Sequence, residues 1–525
     1  MTDQRLLLGI DLGTSSVKVL LVTPEGRTAG KGAAEYPIDR PYPDRAEQHT
    51  EAWWAGLVLA TRQALDEAAQ RDPVANRPQD RIVAIGFSGQ MHGTVLLSAS
   101  HEVLAPAIIW PDQRSGEEVR ALAAEVGPDR VIAFAGGPLA SGFQAATIRW
   151  LRAHEPRLLE RAALILAPKD SVRLRLTGEV GTEPSDACGT GMFSPTTGRW
   201  APELMAAVGV EPDRLPPVRE ATTVAGTLRR VAALDLGLPE GIPVVMGGAD
   251  TPTGLLGAGL VGPGSILLTI STGGQLAVPA MTPKPDLTGS THTFCSVLAP
   301  SSRSAGWYRM AAILSAGIAL RWLRDSVFAL DGEDTYEQML DWARDVPPGS
   351  RGLIFLPYLA GERNPHMDPD ARGVLLGLTA AHGRPELVRA VVEGITLGCF
   401  DASRALAEAG GLPTSIVLAG GGGRSRLWQQ IVADVFGLPV RHLESGEQAA
   451  LGACLLAGAG ARVLDPVTAA LAWARLGDVV EPDPGRHATY LDLYGVFREG
   501  YPKLREDFRR LGAIARPRGP RRRAR

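Results

Sequence analysis

Cysteine is scarce in this sequence, and the few thiols stand far apart. The 525 residues include only four cysteines, none in a CxxC pair: Cys188, Cys295, Cys399 and Cys454. His292 and Cys295 form an HxxC pair, but no second pair completes the ligand set that a structural zinc ion usually needs. Disulfide frameworks are typical of small secreted chains with closely spaced cysteines. The sequence therefore predicts reduced thiols, a cytoplasmic protein and no zinc site.

Long apolar runs and a strong net charge are also missing. No stretch approaches ~20 uninterrupted apolar residues, the length that spans a bilayer as a helix. Asp3 and Asp11 interrupt the first residues, where an export signal would be apolar. A net charge of −3 at pH 7 gives no global field that would attract nucleic acid or anionic lipid. We therefore expect no membrane span, no export signal and no nucleic-acid partner.

Apolar runs alternate with helical patterns along the chain, which indicates an α/β fold. Short runs bounded by small or polar residues predict strands at 6–10, 17–22, 81–87, 242–246, 265–270 and 415–419. Apolar residues spaced by helical turns predict helices at 51–70, 384–409 and 426–436. Because 525 residues exceed what one hydrophobic core usually serves, we expect two large domains.

Two turns of small residues follow predicted strands and are suited to binding phosphate. Gly13-Thr14-Ser15 lies in the first half of the chain, and Ser271-Thr272-Gly273 lies in the second. Backbone N–H groups approach a phosphate closely where side chains are small. Asp11 precedes the first turn and could hold Mg²⁺, which takes one or two protein carboxylates and keeps most of its waters. Either turn alone could be an ordinary hairpin, but the pair favours phosphate binding.

Four consecutive glycines, Gly420 to Gly423, follow the strand at 415–419, and Ser425 and Trp428 open the next helix. Without Cβ atoms, this corner leaves room for a flat adenine or a ribose against the backbone. The same glycines could instead only permit tight packing of the helix on the strand. The residues by themselves do not separate these two interpretations.

Asp250 ends the motif Gly247-Gly248-Ala249-Asp250, directly after the strand at 242–246. A carboxylate at a strand end can face a cleft and take a proton from a hydroxyl group, which is worth roughly 10²–10⁴-fold in rate. Phosphoryl transfer otherwise depends on positioning and on charge stabilisation. Asp is also a common N-cap residue, so Asp250 could instead cap the helix that follows it.

Two polar clusters follow apolar runs in the first half of the chain. Their members are Gln90, Met91 and His92, and Trp110, Asp112 and Arg114. A polyol needs paired donors and acceptors together with an apolar face, and these residue types provide both. A lone His at a strand end is more often structural, but the second cluster favours a sugar site.

One segment, Gly257-Ala258-Gly259-Leu260-Val261-Gly262, matches the GxGxxG pattern of dinucleotide-binding proteins. No clear strand leads into it and Pro263 ends it, so the strand–turn–helix context of that motif is missing. We therefore do not expect an NAD-dependent oxidoreductase.

In their order and spacing, these motifs resemble those of the FGGY family of carbohydrate kinases, most strongly of its members that phosphorylate xylulose. The similarity covers nearly the whole chain, from GIDLGTSSVKV at 9–19 to the tyrosines near the C-terminus. The other motifs that carry it are SGQMHG at 88–93, IIWPDQR at 108–114, PKDSVRLRLTGE at 168–179, SDACGT at 185–190, GGAD at 247–250, FLPYLAGERNPHMDPDARGVLLGL at 355–378 and GGGGRSRLWQQIVADV at 420–435.

The resemblance implies two actin-like ATPase (ribonuclease H-like) domains that close over a central cleft. It implies ATP and Mg²⁺ as cofactors, a homodimer, and phosphorylation of a ketose, most simply D-xylulose to D-xylulose 5-phosphate. The expected organisation is an N-terminal domain at 1–247 for sugar and phosphate, a C-terminal domain at 248–488 for nucleotide, a C-terminal helix at 489–515 and a disordered arginine-rich tail at 516–525.

Matching the family's motif positions assigns roles residue by residue. Asp250 is the expected catalytic base, and Asp11 is the expected metal ligand. The expected sugar contacts are Met91, His92, Trp110, Asp112, Arg114, Asp250 and Thr251. The expected nucleotide contacts are Gly13, Thr14, Ser15, Lys18, Thr272, Gly273, Gly317, Gly421, Gly422 and Ser425. Arg363 lies in a family-like segment, but the resemblance gives it no role.

Three segments depart from the family pattern and leave the identity of the sugar open. Thr251 stands where xylulose-phosphorylating members usually have Asn after the catalytic Asp. The turn at 271–274 reads Ser-Thr-Gly-Gly rather than Gly-Thr-Ser-Gly, and 142–147 lacks the usual Ala-Pro-Lys. The alternatives are a kinase for ribulose, glycerol or a sugar alcohol, and a non-catalytic sugar- and nucleotide-binding regulator. A regulator would have no need of a base at Asp250.

Overall fold

A computed structural model describes residues 5–72, 77–332, 334–410 and 413–515 of the chain. The tail predicted at 516–525 lies outside the described residues. The strands are β1 (Leu6–Leu12), β2 (Ser16–Val22), β3 (Thr28–Glu35), β4 (Glu47–Gln48), β5 (Ile82–Gly89), β6 (Val95–Leu97), β7 (Ala107–Ile108), β8 (Leu164–Leu166), β9 (Phe193–Ser194), β10 (Arg199–Trp200), β11 (Val224–Thr227), β12 (Pro243–Val245), β13 (Gly248–Ala249), β14 (Ser265–Ile270), β15 (Gly274–Ala280), β16 (His292–Cys295), β17 (Trp307–Ile313), β18 (Ile354–Leu356), β19 (Val374–Leu376), β20 (Ser415–Gly420) and β21 (Val440–His442).

The α-helices connect and cover these strands. They are α1 (Thr50–Arg71), α2 (Gly116–Val126), α3 (Pro128–Ala135), α4 (Gln144–His154), α5 (Pro156–Arg161), α6 (Pro168–Thr177), α7 (Pro184–Gly189), α8 (Pro202–Val208), α9 (Arg230–Leu236), α10 (Asp250–Gly257), α11 (Gly317–Trp322), α12 (Thr335–Ala343), α13 (Arg384–Gly410), α14 (Arg426–Phe436), α15 (Gln448–Gly460), α16 (Pro466–Trp473) and α17 (Pro484–Ala515). The helix predicted at 489–515 falls within α17.

The first sheet has the strand order β11-β12-β5-β1-β2-β3, and β13 also pairs with β5. β1, β2 and β3 form an antiparallel meander, whereas β5 runs parallel to β1, β12 and β13. Leu8 and Ile10 of β1 are buried in one core with Trp53 and Leu57 of α1. The parallel pairing places the C-terminal ends of β1, β5 and β13 at the same edge of the sheet.

The second sheet has the strand order β16-β17-β15-β14-β20-β21. β14 and β15 form an antiparallel hairpin, and β20 runs parallel to both β14 and β21. Leu268 and Leu418, on neighbouring strands of this sheet, share a core with Ile395 of α13 and Trp428 of α14.

Both sheets are therefore built around the same motif. In each, two consecutive strands form an antiparallel hairpin, the second of them also lies beside a further strand, and the first also pairs in parallel with a strand that comes later in the chain. This is the ribonuclease H-like arrangement of actin-like ATPase domains, and helices pack against both sheets. The predicted α/β fold with two such domains is confirmed.

The chain forms two compact units, each assembled from separate segments. Unit 1 comprises the residues up to Pro263, Pro279–Arg309 and Glu447–Arg475, and unit 2 comprises Gly264–Val278, Met310–Gly446 and the residues from Leu476 onward. Helix α15 belongs to unit 1 although it comes late in the chain, because its Leu455 is buried in one core with Leu7 of β1. The predicted division after residue 247 separates two continuous stretches of chain. The compact units instead alternate along the sequence, since each consists of three segments.

Local structure follows the sequence pattern closely. The predicted strand at 265–270 and helix at 426–436 have the bounds of β14 and α14. For the other strands and helices predicted from periodicity, both ends lie within about two residues of the observed ends. Among the described residues, no helix is both long enough and apolar enough to cross a membrane.

Candidate active site

Two carboxylates lie at one edge of the first sheet, at the ends of strands that both pair with β5. Ser88 of β5 is aligned with Asp11 of β1 on one side and with Gly248 of β13 on the other. Asp250 follows β13 directly and is the first residue of α10. Pairing of β1 and β13 with β5 therefore brings Asp11 and Asp250, which are 239 positions apart in sequence, to the same edge of the sheet.

The Asp250 residue is half-buried. Burial and the negative charge of Asp11 raise the pKa of Asp250 to about 7, while hydrogen bonds from Thr251 oppose this shift. The Thr251 N–H donates to Asp250 Oδ1 at 2.6 Å, and the Thr251 hydroxyl donates to the same oxygen at 3.2 Å. A carboxyl with a pKa near neutrality is suited to accepting a proton at neutral pH.

The alternative prediction that Asp250 caps the following helix is wrong. Ala249 occupies the N-cap position of α10, and no side chain makes a capping hydrogen bond there. Asp250 is instead the first residue inside the helix, and its carboxylate accepts hydrogen bonds from its immediate neighbour, Thr251. Its Oδ2 atom takes part in neither of these two bonds.

Asp11 lies within hydrogen-bond and charge distance of two polar side chains. Ser88 Oγ donates to Asp11 Oδ1 at 3.0 Å, and Lys18 is the partner of Asp11 across the β1–β2 hairpin. Burial raises the pKa of Asp11, and both Ser88 and the positive charge of Lys18 oppose that rise. A single carboxylate in this setting fits a hydrated Mg²⁺, which needs few protein ligands.

Side chains from three other segments fix the turn at 13–15. The Tyr36 hydroxyl donates to the Gly13 carbonyl at 2.5 Å, and Gln48 Nε2 donates to the Thr14 carbonyl at 2.8 Å. Trp110 Nε1 donates to Thr14 Oγ1 at 2.8 Å. Three side-chain hydrogen bonds therefore fix the turn at 13–15. One of them comes from Trp110, a member of the predicted sugar cluster.

Met91 and His92 are placed in an aromatic environment. The Met91 sulfur lies 3.5 Å from the Tyr308 hydroxyl, and burial, followed by the charge of Asp250, raises the pKa of Tyr308. His92 stacks on Phe143 with ring centroids 3.9 Å apart, and it bonds the Gly189 carbonyl through Nδ1 at 2.6 Å. The structure thus brings Met91 and Asp250 close to the same tyrosine, and it orients the His92 ring firmly.

Asp112 and Arg114 form a buried ion cluster with Glu47. Arg114 lies 2.8 Å from Asp112 and 2.5 Å from Glu47, and Asp112 Oδ2 accepts the Ala46 N–H at 2.7 Å. The Arg114 guanidinium also lies over the ring of Trp150, 5.0 Å from its centroid. These bonds give both residues a structural role, and a sugar contact for them stays a prediction.

Unit 2 contains a cavity of about 1030 Å³ that several of the predicted nucleotide contacts line. Thr272, Gly317, Gly421, Gly422 and Ser425 all lie on its wall. The lining also includes residues that have no expected role from the sequence, namely Leu320, Arg321, Tyr336, Glu337, Leu340, Asp341 and Arg344. A cavity of this size accommodates a nucleotide.

The glycine corner of this cavity combines both interpretations that the sequence left open. A Cβ on Gly420, whose φ is +82°, would lie 2.3 Å from the Ile270 carbonyl oxygen, so this glycine permits tight packing. A Cβ on Gly421 would meet nothing within 4 Å, so that position faces open space. Ser425 caps α14 by accepting the Trp428 N–H at 3.4 Å. The corner therefore packs closely on one side and leaves the other side free.

Several residues around these sites have no role predicted from the sequence. Ser88 lies inside the quoted SGQMHG motif and could have been found there. Tyr36, Gln48 and Tyr308 are single residues in segments without a recognisable motif, and only the tertiary fold brings them to the turn at 13–15 or to Met91.

An actin-like ATPase fold with buried acids beside a small-residue turn, and with a nucleotide-sized cavity, defines a phosphate-transferring class of enzyme. The chain belongs to the FGGY family of carbohydrate kinases: the family's N-terminal domain matches residues 6–257, and its C-terminal domain matches residues 268–461. It is therefore a carbohydrate kinase.

Individual relatives agree with this assignment. The chain is 35% identical to a xylulose kinase of Escherichia coli over 502 residues, which cover 95% of this chain and 99% of the relative. It is 34% identical to a xylulose kinase of Bacillus subtilis over 456 residues, which cover 87% and 88% of the two chains. The crystal structure of a xyloylose kinase from Brucella ovis has a TM-score of 0.86 and 33% identity, and the match covers 96% of this chain and 100% of that one.

Proposed function

We propose that this kinase phosphorylates D-xylulose to D-xylulose 5-phosphate with ATP, and that Asp250 is the catalytic base. The observation that carries the proposal is the environment of Asp250: burial and the charge of Asp11 raise its pKa to about 7. At neutral pH a substantial fraction of the carboxyl is ionised and ready to accept a proton. The names of the relatives support xylulose as the acceptor.

The proposed reaction moves one proton and one phosphoryl group. Asp250 takes the proton of the C5 hydroxyl as that oxygen attacks the γ-phosphorus of ATP. The bond between the γ-phosphorus and the β–γ bridging oxygen breaks, and ADP leaves with that oxygen. Asp250 then returns the proton to solvent, so the site ends in its starting state.

Charge on the phosphates needs compensation from groups that do not react. We propose that Asp11 holds Mg²⁺, which when bound neutralises phosphate charge, and that Lys18 contributes a further positive charge. The turn at 13–15 donates backbone N–H groups, and its anchors Tyr36 and Trp110 keep these donors in place before substrate arrives.

The nucleotide occupies the cavity of unit 2 in this proposal. Thr272 and Gly273 contribute to holding the phosphates, Gly317 and Gly421 leave room for the nucleotide, and Ser425 caps the helix beside it. Their presence on the wall of one cavity, apart from Gly273 in the adjoining turn, supports this assignment.

The decisive experiment couples ADP release to a panel of acceptors. The panel contains D-xylulose, D-ribulose, L-ribulose, gluconate, glycerol and sugar alcohols, each with Mg-ATP and at equal concentration. The expected result is the highest kcat/KM with D-xylulose and a product phosphorylated at C5. Faster turnover of another acceptor would reassign the substrate within the family, and no ADP release with any acceptor would favour a binding regulator.

Thr251 is the residue that makes this panel necessary. Its hydroxyl and its N–H both bond Asp250 Oδ1, so the side chain that replaces the usual Asn is directed toward the base. A Thr251→Asn variant measured on the same panel tests its influence. We expect the ranking of acceptors to change, while the KM for ATP stays the same.

A cytoplasmic location and a homodimer also remain proposals. All four cysteines are buried and free, which is consistent with a reducing compartment. Light scattering of the purified protein would give its mass in solution, and a mass of about twice 55.5 kDa would support the dimer.

A further inference from the structure

The segment 360–368, which includes the family-like residues around Arg363, has no role in the site described so far. It contains Glu362, which is only 3% exposed, and Asn364, which is equally buried. The backbone of Glu362 pairs with that of Asp368 through two hydrogen bonds of 2.9 Å. The segment is therefore a closed loop that directs polar side chains inward.

These inward side chains bond the backbone that connects β17 to α11. Glu362 Oε1 accepts the Leu314 N–H at 2.9 Å and the Arg363 N–H at 2.7 Å. Asn364 Oδ1 accepts the Ala312 N–H at 2.8 Å. The connector at 314–316 is thus held at its first residue by a buried carboxyl group, and Asn364 holds the end of β17 that leads into it.

The same connector supports the turn at 271–274 from the other side. The Thr272 carbonyl accepts the N–H groups of Ala316 and Ile318, both at 3.1 Å, and the Ser271 carbonyl accepts the Gly317 N–H at 2.7 Å. The contact is also tight. A Cβ on Gly273 would lie 2.7 Å from the Ile313 carbonyl oxygen, so the turn rests directly on this backbone.

We propose that Glu362 is a positioning residue for nucleotide binding: it fixes the connector at 314–316, which in turn holds the Thr272 turn in its phosphate-binding shape. The inference rests on the proposed function, because it takes Thr272 to bind phosphate. Glu362 does not line the cavity, so its effect on ATP is transmitted through backbone hydrogen bonds.

The proposal requires the acceptor oxygen of Glu362 and not its charge. Burial raises the pKa of Glu362 to about 8, so at neutral pH the group is largely the neutral acid. Glutamine has the same shape and keeps a carbonyl oxygen for both N–H donors. Methionine has a similar length but cannot replace the acceptor, so it leaves two buried donors unsatisfied.

The experiment compares Glu362→Met with Glu362→Gln in the full-length enzyme. We expect Glu362→Met to raise the KM for ATP about tenfold and to leave the KM for the sugar within about twofold. Glu362→Gln should restore the KM for ATP to within about threefold of the wild-type value. Equal KM values for ATP in the wild type and Glu362→Met, or a rise in both KM values together, would overturn the proposal.

Two further variants separate the possible explanations. Glu393→Gln is the control for changing a buried acid of unit 2, because Glu393 accepts from Gly349, Ser350 and Tyr490 and pairs with Arg389, none of which belongs to the connector or to the turn at 271–274. We expect it to leave the KM for ATP unchanged. Asn364→Leu removes the neighbouring bond to Ala312, and should raise the KM for ATP even if Glu362→Met folds poorly; an unchanged value there would also overturn the proposal.

Gly317→Ala distinguishes this inference from the proposed function. An added Cβ would lie 2.2 Å from the Ser271 carbonyl oxygen and would displace the turn directly. If Gly317→Ala leaves the KM for ATP unchanged, the phosphate role of the turn is wrong. If Gly317→Ala raises that KM but Glu362→Met does not, only the role of Glu362 is wrong.

Discussion

The two hairpins that begin the two sheets have the same topology but are held in different ways. In unit 1 the turn at 13–15 is fixed by side chains from distant segments, and buried Asp11 precedes it. In unit 2 the turn at 271–273 is fixed by backbone N–H groups from residues 316–318, and no acid stands within the hairpin turn. We propose from this difference that the first hairpin contributes to the chemistry, whereas the second only binds.

Asp250→Ala should have the largest effect, because it removes the proposed base beside the first hairpin. We expect kcat to fall by roughly 10²–10⁴-fold, while ATP still binds. Steady-state kinetics and calorimetric titration with ATP measure the two quantities. Asp213→Ala, which removes an exposed acid of the same unit, is the control. Near-normal turnover by Asp250→Ala would disprove the assignment of the base.

Asp11→Asn tests whether the acid of the first hairpin is the metal ligand. The Mg²⁺ concentration needed for half-maximal activity should rise by about 10–100-fold, since the amide is a weaker ligand than the carboxylate. A magnesium titration at saturating ATP and sugar measures this change. An unaltered magnesium dependence would show that the metal is held elsewhere.

Alanine at one glycine of each turn, Gly13 or Gly273, should distinguish the two hairpins further. A Cβ on Gly273 would lie 2.7 Å from the Ile313 carbonyl oxygen, but one on Gly13 would lie 3.0 Å from that of Ser16. We expect Gly273→Ala to raise the KM for ATP about tenfold and Gly13→Ala to raise it only about twofold. The reverse order would mean that the first turn tolerates less displacement than its contacts imply.

Trp110→Phe should have a smaller effect than Gly273→Ala. It removes the hydrogen bond to Thr14 Oγ1, worth about 0.5–1.5 kcal/mol, and keeps most of the aromatic packing. The KM for ATP should rise about threefold. The matched control is Trp150→Phe, because the Trp150 ring stacks against the Arg114 guanidinium and makes no hydrogen bond to the turn at 13–15. A similar change in both variants would show that the Thr14 bond is unimportant.

Much of this fold could be predicted because strand and helix periodicities are local. The turns at 13–15 and 271–273 have small residues directly after apolar runs, and both lie at the ends of strands as expected. The placement of α15 on the first sheet could not be predicted this way. Its Leu455 is packed with Leu7, more than four hundred positions away, and no local pattern records such a contact.

In the candidate site too, local motifs were predictable and long-range contacts were not. Asp11 and Asp250 are identifiable from motifs, but the alignment of Asp11 and Gly248 with Ser88, which brings Asp250 to the same sheet edge, depends on the strand order of the folded sheet. Glu362 lies inside a quoted motif, yet its role depends on two backbone N–H groups, one of them from a strand end 48 positions earlier in the chain. Backbone donors have no sequence signature, so positioning residues of this kind are found only in the structure.

The account depends most on Asp250 being a base whose pKa is set by burial and by the charge of Asp11. The most direct test is the pH titration of the Asp250 carboxyl in the metal-free protein, followed by ¹³C NMR in the wild type and in Asp11→Asn and assigned with Asp250→Asn. The wild-type carboxyl should titrate with a pKa of about 7, and this pKa should fall when the neighbouring charge is removed. A wild-type carboxyl that titrates near the ordinary value of an Asp, or a pKa that does not fall in Asp11→Asn, would contradict this central claim.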